Sequence, residues 1–307
     1  TTTSGRSNHA VAVAGALVLP ERDLPVPPYT LGAWLGGGTS ADGGFTGADA
    51  EIVERIQRDG FEVTKRAAKY SYGILKLENR LAAVGVLNDK HIPDKYLRAS
   101  YGQRLALLQG LMDTDGHVTH GGSCEFTGVN ENLVNGVLEL ILSLGIKAVK
   151  TEGIAQLNGR VIGPKYRILF TTTQPVAYLP RKAARIRAEN RRTTKFRYLV
   201  SCEKVESVPT RCLSVNSPTR QFLAGAAMVP THNSSLLIGL SLTQHKRSLI
   251  LRRTAKEAQS LVDEYVALLG SREGYNGQEG TWRLPGGRII DTGGVQLEED
   301  KQRYKGR

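Results

Sequence analysis

The chain has 307 residues, enough for two or three domains with cores of their own. Its 40% hydrophobic and 23% charged content is that of an ordinary globular protein, and no apolar run is long enough to span a bilayer. A net charge of +12 favours a polyanionic partner, most simply nucleic acid, while three cysteines without CxxC spacing (Cys124, Cys202, Cys212) argue against zinc or a disulfide framework.

In chain order, residues 1–26 read as strand and turn closing in the Pro-rich "LPERDLPVPPYT". The start, "TTTSGRSNHAVAVAG", has no basic region followed by an apolar core, so it is not a signal peptide. With no initiator Met and an abrupt "KQRYKGR" end, the sequence reads as a fragment at both ends. An apolar helix, "YTLGAWLGGG", dies in Gly36–Gly38, and helical spacing recurs in "GADAEIVERIQRDG" and "KLENRLAAVGVL". "HIPDKYLRAS" is a Pro-broken connector to a second apolar helix, "YGQRLALLQGLMD", which ends at an acidic turn (Asp113 to Gly116). "CEFTG" and "KYRILFTTT" read as strands, and "ENLVNGVLELILSLG" as an amphipathic helix. Two such helices, each followed by a strand-rich stretch, indicate an internal duplication.

A basic cluster from Arg181 to Arg197 holds eight Lys and Arg against Glu189 alone. Residues 198–233 read as short strands. From Ser234 the texture turns to α/β: a helix, the strand "SLILRR", the helix "AKEAQSLVDEYVALLG" and the hairpin "TWRLPGGRIID". Ser234 is a domain boundary without a linker, an unusual place for tandem domains to meet.

"LLQGLMDTDG" (Leu107 to Gly116) resembles the helix motif of the LAGLIDADG homing endonucleases. The resemblance implies a monomer of two pseudo-symmetric halves, whose paired helices each deliver one carboxylate to a shared Mg²⁺ site on double-stranded DNA. Hydrolysing a phosphodiester this way needs divalent ions that polarise phosphate and activate water. By motif position Asp115 is the metal ligand, and Asp113 serves the helix end. The partner motif reads "YTLGAWLGGG", so Gly37 stands where the other acid belongs, and Asp42 is the only nearby carboxylate. Lys90, in "KHIP", and Lys165, in "GPKYRILF", occupy the places of basic residues near the metal. Family members read DNA with β-ribbons in the major groove. Loss of one acid implies retained DNA affinity with cleavage weak, reduced to nicking, or absent.

The seam resembles the C-terminal splicing motifs of inteins, which often house LAGLIDADG modules: "RCLSVNSPTRQFLAG", then "MVPTHN" before Ser234. Asn233 can close a succinimide on its own carbonyl, His232 can polarise that carbonyl, and the Ser234 hydroxyl can receive the upstream segment. Cys212, with Thr231 near the terminal Asn, resembles the intein subset whose internal cysteine attacks the upstream junction. No cofactor is implied for splicing. Gln221 departs from the family, many members of which carry His in that strand.

Residues 234–307 resemble the ATPase part of phage terminase large subunits. Ser234 would then be the Walker A hydroxyl that binds Mg²⁺ of ATP in the complete, spliced host, and Arg252 and Arg253 could contact the nucleotide.

The expected fold is multidomain α+β. Residues 1–26 are an N-terminal splicing remnant, 27–197 the endonuclease, 198–233 the C-terminal splicing region, and 234–307 a truncated P-loop-type piece. Splicing to completion needs an upstream intein and extein segment as partner. A bacterial cytoplasm is the expected setting, with no membrane association. The rival readings are a site-specific DNA-binding endonuclease with vestigial splicing, and an ATPase carrying an inserted module.

Overall fold

The computed structural model describes residues 9–157, 160–186, 194–200, 215, 221–231, 233–243 and 245–304. A short strand, β1 (Ala10–Ala12), and an extended stretch lead to the first helix. That helix, α1 (Pro28–Gly37), starts on a proline, whose fixed φ suits the first helical position and whose missing N–H loses no bond. It is buried from Tyr29 to Leu35. Next come β2 (Gly44–Thr46), α2 (Ala50–Arg58), β3 (Val63–Lys65), β4 (Ser71–Ile74), α3 (Leu77–Ala83) and a single turn, α4 (Asp94–Leu97), within the Pro-broken connector. The second apolar helix, α5 (Tyr101–Thr114), opens on a capping box in which Ser100 and Gln103 satisfy each other's backbone N–H. It is followed by β5 (Gly116–Val118), β6 (Ser123–Gly128), α6 (Glu131–Ser143), β7 (Ala148–Leu157), β8 (Arg160–Thr171), α7 (Pro180–Ala183) and β9 (Phe196–Tyr198).

The order of elements repeats. Behind α1 lies the sheet β2-β4-β3, and behind α5 the sheet β5-β6-β8-β7, with corresponding strands in the same relative places. The first half reduces the equivalent of β5 to one bridge, Gly38 with Phe45, which matches the pairing of Gly116 with Phe126. α1 and α5 cross through glycine. A side chain on Gly32 would overlap the Leu107 carbonyl oxygen, and one on Gly110 the Tyr29 carbonyl oxygen. The two backbones therefore touch, and Trp34, Phe45, Leu107, Leu111, Phe126 and Ile168 pack around the crossing in one core. Each such fully buried side chain contributes about 1.5–3 kcal/mol.

The N-terminal segment is fastened to this body at two places. β1 pairs antiparallel with β9, Ala10 lying opposite Tyr198. Arg104, fully buried, donates to the carbonyls of Ala99, Ser143 and Leu17 and to the Ser143 hydroxyl. Its charge is solvated by backbone oxygens, which binds the incoming chain at Leu17 to the end of α6.

The chain divides into two units, Thr1–Glu203 with Ala224–Val229, and Lys204–Leu223 with Pro230–Arg307. Two short strands, β10 (Phe222–Ala224) and β11 (Val229–Thr231), form a ribbon ahead of the seam. In the second unit α8 (Asn233–Thr243) is followed by β12 (Arg247–Arg252), α9 (Ala255–Leu269), β13 (Tyr275–Asn276), β14 (Thr281–Leu284) and β15 (Arg288–Gly294). α9 carries a Thr254–Glu257 capping box and stops at Gly270 in the left-handed region. It carries the crossover that lets β12 run parallel to β15, in a sheet of order β12-β15-β14-β13. Ile238, Leu261, Tyr265, Trp282 and Ile290 form a separate core. The helix, strand, helix and hairpin read from the sequence after Ser234 are all present. Among the described residues no helix is long and apolar enough to cross a membrane.

Candidate active site at the paired helix ends

Because α1 and α5 cross in the same direction, their C-terminal ends meet. Gly36 abuts the Thr114 side chain, and Asp115, which closes α5, comes next. Each helix end is held by one lysine. Lys90 Nζ donates to the carbonyls of Trp34, Leu35 and Gly38 at 3.1, 3.0 and 2.7 Å. Lys182 Nζ donates to those of Met112, Asp113 and Gly116 at 2.7, 2.8 and 2.7 Å. The two carbonyl triplets have identical spacing, and each ammonium sits at the negative end of a helix dipole. Burial pulls both lysines below the usual ammonium range, an effect that Asp115 opposes at Lys90 and that Asp113 and Asp115 oppose at Lys182.

Lys182, not Lys165, is thus the counterpart of Lys90. Lys165 lies on β8 opposite Gly153, out on the sheet. The equivalence is set by which lysine reaches a helix end in space. In sequence, Lys90 is 52 positions from Gly38 and Lys182 is 66 from Gly116, so no fixed spacing reveals it. The signal available was a lysine just after Pro180, at the head of the basic cluster.

The two acids of the motif have different tasks. Asp113 is buried and accepts from the Tyr29 hydroxyl at 2.8 Å and from the backbone N–H groups of Tyr178 and Leu179. It ties α5 to the start of α1 and to the backbone at Tyr178 and Leu179. Asp115 reaches solvent, yet the protein around it pushes its carboxyl above the usual range, with Lys90 and Lys182 pulling the other way.

A divalent metal does not fit what is present. Apart from the buried Asp113, Asp115 is the one carboxylate at the paired ends among the described residues, and Gly37 holds the matching place on α1. A Cβ on Gly37 would lie 2.8 Å from the Phe45 ring and 2.9 Å from the Thr46 carbonyl oxygen, so the space for an acid has been closed by the next strand. Asp42 does not substitute, because its carboxylate accepts from Gly44 N–H at 2.7 Å and pairs with Arg66 at 3.1 Å. Among the described residues no three His, Cys, Asp or Glu side chains gather in reach of one ion.

At the seam, Thr231 ends β11, half-buried, and Asn233 and Ser234 supply the first backbone turn of α8. The chain passes from strand to helix there. Cys212 and His232 lie outside the described residues.

Residues 102–177 match the LAGLIDADG-like domain family. This part of the chain is similar to LAGLIDADG-like domains. The matched stretch runs through α5, both of its hairpins and α6, and the repeat of the same element order extends the plan to α1 through α3. A replicative DNA helicase, DnaB, from Mycobacterium intracellulare is 44% identical over 236 residues, which covers 75% of this chain and 39% of the helicase.

Proposed function

We propose that residues 1–233 are a self-excising insert with an embedded LAGLIDADG module that binds DNA and has lost most of its cleavage chemistry. The observation that carries the nuclease half is the end of the paired helices: two lysine-held ends of one geometry, with Asp115 on one and Gly37 on the other. With a single motif carboxylate facing the paired ends, cleavage is weak, reduced to nicking, or absent. Double-stranded DNA remains the partner, since phosphate contacts depend on the basic charge and not on the lost acid.

The splicing half is supported by the order Thr231-His232-Asn233-Ser234 at a strand-to-helix junction. Asn233's side-chain nitrogen attacks its own carbonyl carbon. The succinimide closes as the bond to the Ser234 nitrogen breaks, and that nitrogen leaves with a proton that His232 is suited to supply. Cys212 is the thiol that takes the upstream junction as a thioester and passes it to the Ser234 hydroxyl. The 44% identity over 236 residues to a replicative DNA helicase supports an insert of the kind found in such a host.

For residues 234–307 the α8–β12–α9 order fits the stretch after a P-loop in a terminase-like ATPase, with Ser234 binding the nucleotide's Mg²⁺ after splicing. A helicase host is the second reading, favoured by the named relative.

The test is an intact-mass measurement on the purified chain after incubation near neutral pH. A fragment beginning at Ser234, and its absence in Asn233→Ala, is the expected result. An uncut chain means that the site needs an upstream segment or is inactive, and the DNA-binding reading then becomes the working account.

A further inference from the structure

The +12 charge explains affinity for any duplex, but charge alone reads no sequence. Base reading requires side chains held in fixed orientation on a surface that a groove can reach. The alternation of each strand says which surface that is. In the first sheet Phe45 and Tyr72 lie opposite one another and face the core, so the paired Gly44 and Gly73 face the other way. In the second sheet Phe126 and Ile168 face the core, so Glu125, Thr127, Arg167 and Leu169 lie on the open face.

Each open face carries one guanidinium fixed by one carboxylate. On the first, Arg66 lies across the paired glycines: a Cβ on Gly44 would come 2.7 Å from its Nη1, and one on Gly73 would come 3.3 Å from its Nε. Asp42 pairs with its Nη2 at 3.1 Å and is itself fixed by the Gly44 N–H. On the second, Arg167 sits between Thr127 and Thr151 on the neighbouring strands, and its Nε pairs with Glu125 at 3.0 Å. Thr127 donates its hydroxyl to the same Glu125 oxygen at 3.0 Å. The two arginines are 43% and 44% exposed, Arg66 just after the end of β3 and Arg167 on β8.

A surface ion pair of this kind adds little stability. What it does is orient a planar fork of donors. Arg167 is engaged through Nε, so among the described residues its terminal nitrogens are left for an outside acceptor. Arg66 is engaged through one terminal nitrogen and lies over the paired glycines, flanked by Asp42, Thr39 and Thr64. A guanidinium held in place is matched to the O6 and N7 acceptors of guanine in the major groove.

We propose that Arg66 and Arg167 are the sequence-reading residues of this module, one per half, each set to a guanine by its carboxylate, Asp42 or Glu125. The proposal rests on the DNA-binding reading above.

The test is selection of bound duplexes from a random-sequence library with the full chain and with Arg66→Lys, Arg167→Lys and Glu125→Gln. The parent chain should enrich a sequence with a guanine required at two separated positions. Each lysine variant should lose the requirement at one of them and bind the selected duplex about tenfold to hundredfold more weakly. Its binding to unselected duplex should stay unchanged, which also reports that it is folded. Glu125→Gln should blur the requirement at one position without weakening general affinity. An unchanged selected sequence from both lysine variants overturns the proposal. So does an even loss of affinity for all duplexes, which would make both arginines phosphate contacts. Binding without enrichment by the parent chain overturns the proposal alone, while no binding of any duplex overturns it together with the DNA-binding reading.

Discussion

Residues 28–83 and 101–186 follow one plan with different amounts of material. The first half has strands of three or four residues, while β7 and β8 in the second have 10 and 12. The α5 end has a buried Asp113 and an Asp115; the α1 end has Leu35 and Gly37 at the same places. The lysine on each helix end, the glycine crossing and one arginine–carboxylate pair per sheet are common to both. What has been kept on both sides holds the helices together or faces outward from the sheets. What differs is the acid, Asp115 on one side and Gly37 on the other. The crossing is shared, so the two helices pack as a pair.

That comparison can be broken most severely at the crossing. Gly32→Val and Gly110→Val should each destabilise the first unit by about 3 kcal/mol or more, because the neighbour in the way is backbone that cannot rotate aside. Urea unfolding of both variants measures it. Markedly unequal costs would mean that the crossing is not symmetric in energy. Gly153→Ala, on the long ribbon where a methyl meets nothing within 4 Å, is the control and should be nearly neutral.

A smaller loss is expected from making the halves more alike. Asp113→Leu copies Leu35 into the second helix and orphans the Tyr29 hydroxyl and two backbone N–H groups. The expected cost is about 3 kcal/mol at most, read in the same unfolding experiment. No loss would show that Asp113 is as dispensable as its counterpart.

The smallest effect has the opposite sign. The protein packed around Asp115, which still reaches solvent, holds its carboxyl above its ordinary range in the folded chain, against the pull of Lys90 and Lys182. The folded state therefore takes up a proton at a pH where the unfolded chain has not. Above the raised value the ionised group costs stability, and that cost fades as pH falls toward the ordinary carboxylate value. Asp115→Asn should melt slightly higher than the parent chain near neutral pH, with the difference shrinking in acid. A lower melting temperature at neutral pH would mean that the two lysines outweigh burial.

The paired helices are legible in "YTLGAWLGGG" and "LLQGLMDTDG" because small residues must recur where backbones touch, and the recurrence survives in the letters. The missing acid is legible for the same reason. Lys182 is not, since it is brought to its helix end by the length of a sheet and a turn that differ between halves. β2, β3 and β4 are too short for alternation to register, and exposed β7 carries glycine and charge where a buried strand would carry apolar residues. Arg66 and Arg167 look like any surface arginine until the sheet register shows which face they share and which carboxylate each meets. Cys212 and His232, named from the sequence alone, lie outside the described residues.

β1 and β9 are neighbours, with Ala12 opposite Phe196, so the chain sets out and returns at one place. To the strands on either side, everything between them is a single loop, however large. Such a loop can be lengthened, worn down or deleted without moving its two ends apart. A lineage could therefore discard the two-sheet body in one event and close the gap with an ordinary hairpin turn.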